Sequence, residues 1–235
     1  MTGILAIETA TDACSVALAL DGVLVSRHRV APREHSQLIF SMLGELLPGG
    51  DLPEQGVQVL AYGCGPGSFT GLRIAASAVQ GLAYSSKLPV VAVSTLAVMA
   101  QTALRLGVVN EGNPVLCTLD ARINEVYSAV YVFKQSRAVL SDGPWACAPA
   151  ELMPSGEQPL QVIGNGGNFI EQFSPALQAR IRSCNASVLP DAQDLIPLAL
   201  EKYGVGDIQE PRNVQPVYLR DEISWKKLAD QGKRP

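Results

Sequence analysis

Two stretches of this chain, 112 positions apart, read alike without a gap, and a duplication constrains architecture more than any single motif does. Ile4, Leu5, Ala6, Ile7 and Glu8 stand against Leu116, Cys117, Thr118, Leu119 and Asp120. Farther on, Val16, Ala17 and Leu18 stand against Ser128, Ala129 and Val130. Each copy is a short apolar run that ends in a carboxylate and turns into a second apolar run, the pattern of a strand, a turn and a strand. A chain built this way is expected to form two lobes of related topology.

The remaining punctuation supports an α/β reading of the first copy. After the polar cluster Thr9, Thr11 and Asp12, a second strand spans 14–20, and Asp21-Gly22 turns it into a third over 23–30. Over 33–47, Leu38, Ile39, Met42, Leu43, Leu46 and Leu47 share one helical stripe, which Pro48-Gly49-Gly50 ends. A strand over 57–62, a glycine loop over 63–67, a helix over 70–84, a strand over 88–93 and a helix over 95–106 follow. The polar, Gly- and Pro-bearing stretch 110–114 is the expected seam. It divides the chain into an N-terminal lobe, 1–110, and a C-terminal lobe, 111–235. In the latter, 156–159 and 164–168 read as loops, Asp191 and Asp194 head a helix through Tyr203, and 211–235 is a Pro-bearing, basic tail.

Composition removes several classes of function. With a formal net charge of −4, the chain lacks the broad basic face with which a protein grips nucleic acid unaided. Cys14, Cys64, Cys117, Cys147 and Cys184 form an odd set with no CxxC pair, the pattern of buried thiols in a reducing compartment. The first ten residues run into a strand pattern with no basic leader, and the apolar stretch 88–109 is broken by Ser94, Thr95, Gln101 and Arg105. A cytosolic protein without a membrane role is expected.

The segment Gly65-Pro66-Gly67-Ser68-Phe69-Thr70-Gly71-Leu72-Arg73 carries the strongest local signal. Its glycines permit positive-φ turns, and free N–H groups at the following helix start can receive an anion. The alternative is a plain connection between strand and helix. The helix beyond it holds Gly71, Ala75, Ala76, Ser77, Ala78 and Gly81, small residues that admit close packing on its own sheet or against a second protein. Glu8 and Asp120 are candidate phosphate or metal carboxylates, or simple turn caps. His28 and His35 lack the i, i+4 spacing of a helical zinc site, and no P-loop or G-x-S-x-G elbow is present.

Several motifs in one order resemble the bacterial TsaB (YeaZ) family. They are 4–9 with 13–18, Pro32-Arg33-Glu34-His35-Ser36, 62–73, Val93-Ser94-Thr95-Leu96, Leu119-Asp120-Ala121-Arg122 with Glu125-Val126-Tyr127, and Pro216-Val217-Tyr218-Leu219-Arg220 with Trp225-Lys226-Lys227. The resemblance implies a duplicated two-lobed fold of the actin-like, sugar-kinase type, with mixed sheets flanked by helices. It also implies a non-catalytic subunit for making threonylcarbamoyladenosine at position 37 of tRNAs that read codons beginning with A. Such a subunit pairs with its catalytic paralogue TsaD and is joined by the ATPase TsaE, while TsaC makes the threonylcarbamoyl-adenylate. By the same resemblance, the face that pairs with TsaD, or with a second copy when TsaD is absent, holds His35, Leu38, Ile39, Met42, Leu43, Leu46, Thr70, Arg73, Ile74, Ser77, Ala78 and Gly81. This chain would bind no cofactor tightly, ATP being used by the assembly, and tRNA would be met through the complex. Where the paralogue holds its metal with two histidines, this sequence has Thr95 and Met99, a weak ligand and a soft one.

Three other readings stand beside that one. A phosphotransferase or nucleotide hydrolase of the same fold would use Glu8 and Asp120 around a phosphate. A metallopeptidase lacks a zinc ligand set. An RNA-binding module would act through Arg220, Lys226 and Lys227, against the acidic net charge.

Overall fold

The computed structural model describes residues 2–49 and 51–219. Its first sheet takes the order β3-β2-β1-β4-β5, from β1 (Gly3–Glu8), β2 (Ala13–Leu20), β3 (Val23–Val30), β4 (Val57–Gly65) and β5 (Val90–Ser94). The second takes β10-β9-β6-β7-β8, from β6 (Val115–Arg122), β7 (Glu125–Lys134), β8 (Arg137–Cys147), β9 (Leu160–Ile163) and β10 (Ile181–Asn185). Read from the opposite edge, the second order repeats the first. In each, an antiparallel three-strand meander is extended by two parallel strands. The duplication is therefore one of topology.

Its register differs from the ungapped alignment by one residue. In β1, Ile4 and Ala6 face the interior between the sheets and Leu5 and Ile7 the outer helices; in β6 it is Val115, Cys117 and Leu119 that face inward and Leu116 outward. Because side chains alternate with a period of two, Ile4 corresponds to Val115 and Glu8 to Leu119, not to Asp120. The second strands keep the sequence alignment, Ala17 and Ala129 both facing inward. The turn after β6 is thus one residue longer than the ungapped alignment allows, and it passes through Arg122, Ile123 and Asn124 at φ 65°, 53° and 56°.

Helices fill three layers around the sheets. On the outer face of the first lie α1 (His35–Leu46) and α2 (Phe69–Ser86), whose Ile39, Met42, Leu43, Ala75 and Val79 meet Leu5, Ile7 and Tyr62. Between the sheets lie α3 (Thr95–Arg105), packed through Leu96 and Met99 on Cys117 and Leu119, and α5 (Ala192–Gly204), packed through Leu195 and Ala199 on Ile4 and Ala6. Each half of the chain thus lends a helix to the other half's sheet. The outer face of the second sheet is covered by α4 (Pro175–Arg180) and short 3-10 turns carrying Phe169, Ile170 and Phe173.

Two ties hold the middle layer. Arg105 Nε at the end of α3 donates to both carboxylate oxygens of Asp194 at 2.8 and 2.9 Å, and its Nη2 to Asp191 at 3.2 Å. The Ala192 N–H at the start of α5 donates to Ser15 Oγ at 2.9 Å. Asp191 is the N-cap of α5, as its sequence position predicts, accepting from the Gln193 N–H.

The helix expected over 33–47 begins at His35, since Arg33 has a φ of 71°, incompatible with a helix interior. The stretch 164–168 is the start of a 3-10 turn, and β8, β9, β10 and α4 lie where the sequence shows no clean period. All five cysteines are free thiols. Among the described residues, no helix is long and apolar enough to cross a membrane. The tail cations Arg220, Lys226 and Lys227 lie outside the described residues.

Candidate functional site: the α1–α2 face and the adjoining cleft

The glycine loop joins β4 to α2, and its glycines serve the chain's own packing. A Cβ on Gly67 would strike the Ala10 carbonyl, and one on Gly71 the Thr9 carbonyl. Hydrogen bonds fix the same approach: Thr9 Oγ1 donates to the Gly71 carbonyl at 2.8 Å, and the Ser68 N–H to the Ala10 carbonyl at 2.7 Å. Ser68 also caps α2 by accepting from the Gly71 N–H. The loop is strapped onto the β1–β2 turn, and two of the N–H groups an anion would need, those of Ser68 and Gly71, are engaged.

The two candidate carboxylates have unlike surroundings. Glu8 is fully buried; it accepts from the Ala10 N–H at 2.7 Å and from Thr95 Oγ1 at 3.4 Å. Burial pushes its pKa up to about 7, against the lowering effect of those hydrogen bonds. Asp120 is partly exposed and accepts from the Arg122 N–H at 2.8 Å. It borders an interlobe cleft of about 290 Å³ with Asp12, Ser68, Phe69, Arg122 and Tyr218, a cleft to which Glu8 does not contribute. At that size it lies at the small end of ligand pockets, roughly 300–1,000 Å³. The structure therefore does not converge Glu8 and Asp120 on one phosphate.

The residues weighed for a metal site have partners within the chain. Thr95 hydrogen-bonds Glu8, and Met99 is buried against the second sheet. His35 Nε2 lies 2.8 Å from the Thr11 carbonyl and 3.2 Å from that of Ala13, pinning the start of α1 to the β1–β2 turn. Among the described residues, no group of three His, Cys, Asp or Glu side chains is placed to hold a metal ion.

Between α1 and α2 runs an open groove of about 490 Å³. Its apolar lining comes from Ile39, Phe40, Phe69, Ile74 and Ala78, and its rim from Ser36, Thr70, Arg73 and Ser77. Of the twelve residues expected on a pairing face, Thr70, Arg73, Ser77 and Gly81 are exposed and Leu38, Leu46 and Ile74 half-buried. The other five, His35, Ile39, Met42, Leu43 and Ala78, are buried in the chain's own core. The apolar stripe of α1 is mainly the side that meets the sheet. Sequence reasoning missed Phe40, 64% exposed, Phe69, 49% exposed, and Tyr84, 77% exposed. The available signal was a large aromatic lying off the apolar stripe.

One side-chain stack joins the groove to the cleft. The Arg73 guanidinium lies 3.8 Å over the Phe69 ring, the Phe69 and Tyr218 rings are 5.7 Å apart, and Arg73 Nε donates to Tyr218 Oη at 3.1 Å. Tyr218 is brought there because the Val217 N–H donates to the Cys64 carbonyl at 2.8 Å and Tyr62 Oη to the Gln215 carbonyl at 2.9 Å.

Two like sheets, related by duplication and clamped around shared helices, define a two-lobed protein of the actin-like, sugar-kinase class. The family model "TsaD: tRNA N6-adenosine threonylcarbamoyltransferase" matches residues 24–210. The chain is 37% identical to the tRNA threonylcarbamoyladenosine biosynthesis protein TsaB of Escherichia coli strain K12, over 96% of this chain and 97% of that one. It is 35% identical to the protein of the same name from Haemophilus influenzae, over 96% of each. A solved structure, YeaZ from Pseudomonas aeruginosa, superposes with a TM-score of 0.84 at 36% identity, covering 93% of this chain and all of that one. The chain belongs to the TsaB (YeaZ) family.

Proposed function

We propose that this protein is the non-catalytic pairing subunit of the assembly that builds threonylcarbamoyladenosine at position 37 of tRNAs reading codons that begin with A. The α1–α2 groove receives the catalytic paralogue TsaD, and a second copy of this chain when TsaD is absent. TsaE joins the pair, ATP is used by the assembly, and tRNA is engaged through the complex. No cofactor is held tightly by this chain alone, which works in the cytosol.

The observation that carries the reading is the groove: Phe40 and Phe69 stand exposed beside an apolar channel, in a chain whose relatives are named for this pathway. Exposed aromatics flanking apolar side chains are the composition of an interface core. The burial of Glu8 weighs against a phosphotransferase or hydrolase, because a nucleotide in the cleft would not touch its carboxylate.

Reconstitution of the tRNA modification from purified components tests the reading. Activity should require this protein, survive Glu8→Gln with Asp120→Asn, and be lost with Phe40→Asp plus Ser77→Arg, whose thermal unfolding should match the parent. Loss of activity in the folded, TsaD-pairing carboxylate variant would refute the non-catalytic role.

A further inference from the structure

Four strands end the two sheets, and three of those edges are closed or irregular. Val90 in β5 exchanges two hydrogen bonds with Gln209, of 3.0 and 2.7 Å, so the returning chain closes the start of that five-residue edge. The pairing of β8 shifts register on both sides of Val130, and the strand contains Pro144, which has no N–H to offer. Only five residues make up β10. Natural proteins protect sheet edges with such devices, because a long regular edge is a template for another strand.

β3 has none of these, its charged residues being Arg27 and Arg29. Its eight residues pair with β2 in unbroken register from Ala13↔Val30 to Leu20↔Val23, with no proline, lysine or bulge. Asp21 and Gly22, at φ 48° and 84°, form the two-residue turn, which makes Leu20 and Val23 a hydrogen-bonded pair. By alternation, Val23, Val25, Arg27 and Arg29 bond to β2, and the N–H and C=O groups of Leu24, Ser26, His28 and Val30 point away from it. There the Ser26 carbonyl accepts from Arg27 Nη1 at 3.0 Å, a bond to an exposed side chain that an added strand would displace. Among the described residues, no strand pairs with that side. Val23, Leu24, Val25 and Val30 are exposed apolar side chains on the same strand.

Two hollows flank this edge on its interior-facing side. Leu24 borders one, floored by Ala19, Ile196 and Leu200 and rimmed by Lys134 and Arg137; His28 and Val30 border the other, with Leu106 and Val108. A strand laid on β3 would drop alternate side chains toward them. The charges nearby are unevenly matched. Arg27 pairs with Glu45, and Arg105 with Asp191 and Asp194. That leaves Lys134 and Arg137, on the rim of the first hollow beside Glu201, and Arg29, on the other face of the strand, without a carboxylate partner among the described residues.

We propose that β3 is an open strand-addition site for an extended, acidic segment of another protein. Main-chain bonds to Leu24, Ser26, His28 and Val30 supply the affinity, and the surplus cations select acidic over basic sequences. A second copy of this chain is a poor occupant. Of the two antiparallel self-pairings that overlap the strand most fully, one sets Arg27 against Arg27, and like charges directly opposite destabilise a sheet; in either, the second copy's β3 brings no carboxylate to meet the cations.

The test is amide hydrogen exchange on the full-length protein with a capped peptide of alternating valine and glutamate, matched in length to β3. At about ten times its Kd, the peptide should slow exchange at Leu24, Ser26, His28 and Val30 about tenfold. The lysine counterpart should not, and Ser26→Pro, which removes an outward N–H while sparing the β2 pairing, should abolish the effect with thermal unfolding unchanged. Four results would each overturn the proposal: these amides already slow in dilute free protein, slowing that follows protein concentration without peptide, equal effects from the two peptides, or no effect at the solubility limit of the glutamate peptide.

Discussion

Replacing Glu8 by glutamine should make the protein more stable at neutral pH while leaving it unchanged in mild acid. The carboxyl is fully buried, and its pKa rises from an ordinary 4.5 to about 7 because burial disfavours the charged form. A folded-state pKa above the unfolded one means that the native protein binds the proton more tightly. That contribution to stability is whole below pH 4.5 and is lost as pH rises through 7. The gap is two and a half pH units at about 1.4 kcal/mol each, so roughly 3 kcal/mol disappears across the window. Glutamine keeps an acceptor for the Ala10 N–H, offers an amide toward Thr95 Oγ1, and never ionises. Urea unfolding at pH 4.5, 6 and 8 should show the variant level with the parent at the first and ahead by about 3 kcal/mol at the last. The Cys14 and Cys64 thiols, pushed up to about 11 by burial, do not titrate in that range. A difference that does not change with pH, or a variant weaker at pH 8, would refute the account of Glu8 as a proton-binding core residue.

The remaining predictions concern packing and pairing. Gly71→Ala drives a methyl into the Thr9 carbonyl and should lose about 2 kcal/mol or more by thermal denaturation. Gly81→Ala, on the same helix with open space around it, should gain about 0.5–1 kcal/mol. Arg105→Met leaves Asp191 and Asp194 buried without their cation; about 2 kcal/mol of stability should go, less than for a fully buried pair because Arg105 is partly exposed. Size-exclusion chromatography with light scattering should show Phe40→Asp shifting any self-paired form to monomer. Ala78→Arg is a poor probe of that face, since Ala78 is 9% exposed and the change also disturbs the core.

How far the chain could be read from its residues depended on how local each cause is. The hairpin at Asp21-Gly22 and the stripe of α1 are set by neighbours within a few positions and stand where their spacing predicts, whereas the glycine loop expected over 63–67 is shorter, because β4 runs on through Gly65. The duplication was legible as well, but its register was not. The turn after β6 carries one extra residue at left-handed angles, and no glycine there marks it, so Asp120 was matched with Glu8 although their side chains leave opposite faces. The exchange of α3 and α5 between the sheets had no local signature, because both read as ordinary amphipathic helices and only tertiary packing decides which sheet each one meets.

The same distinction explains why the candidate face mixes exposed residues with buried ones. A helical stripe identifies the side that is buried, and in α1 most of that burial is intramolecular, leaving Ile39, Met42 and Leu43 on the sheet. What a partner would touch is the residue that breaks the pattern, and Phe40 does so from the solvent side. Phe69 does the same at the head of α2, where Arg73, one turn along the same helix, and the distant Tyr218 hold its ring in place. That stack borders both the groove and the cleft, so a shift of the segment bearing Tyr218 would be felt in the α1–α2 groove before it reached the buried Glu8. The geometry links the cleft to the exposed α1–α2 groove, and it leaves the buried carboxylate as part of the core.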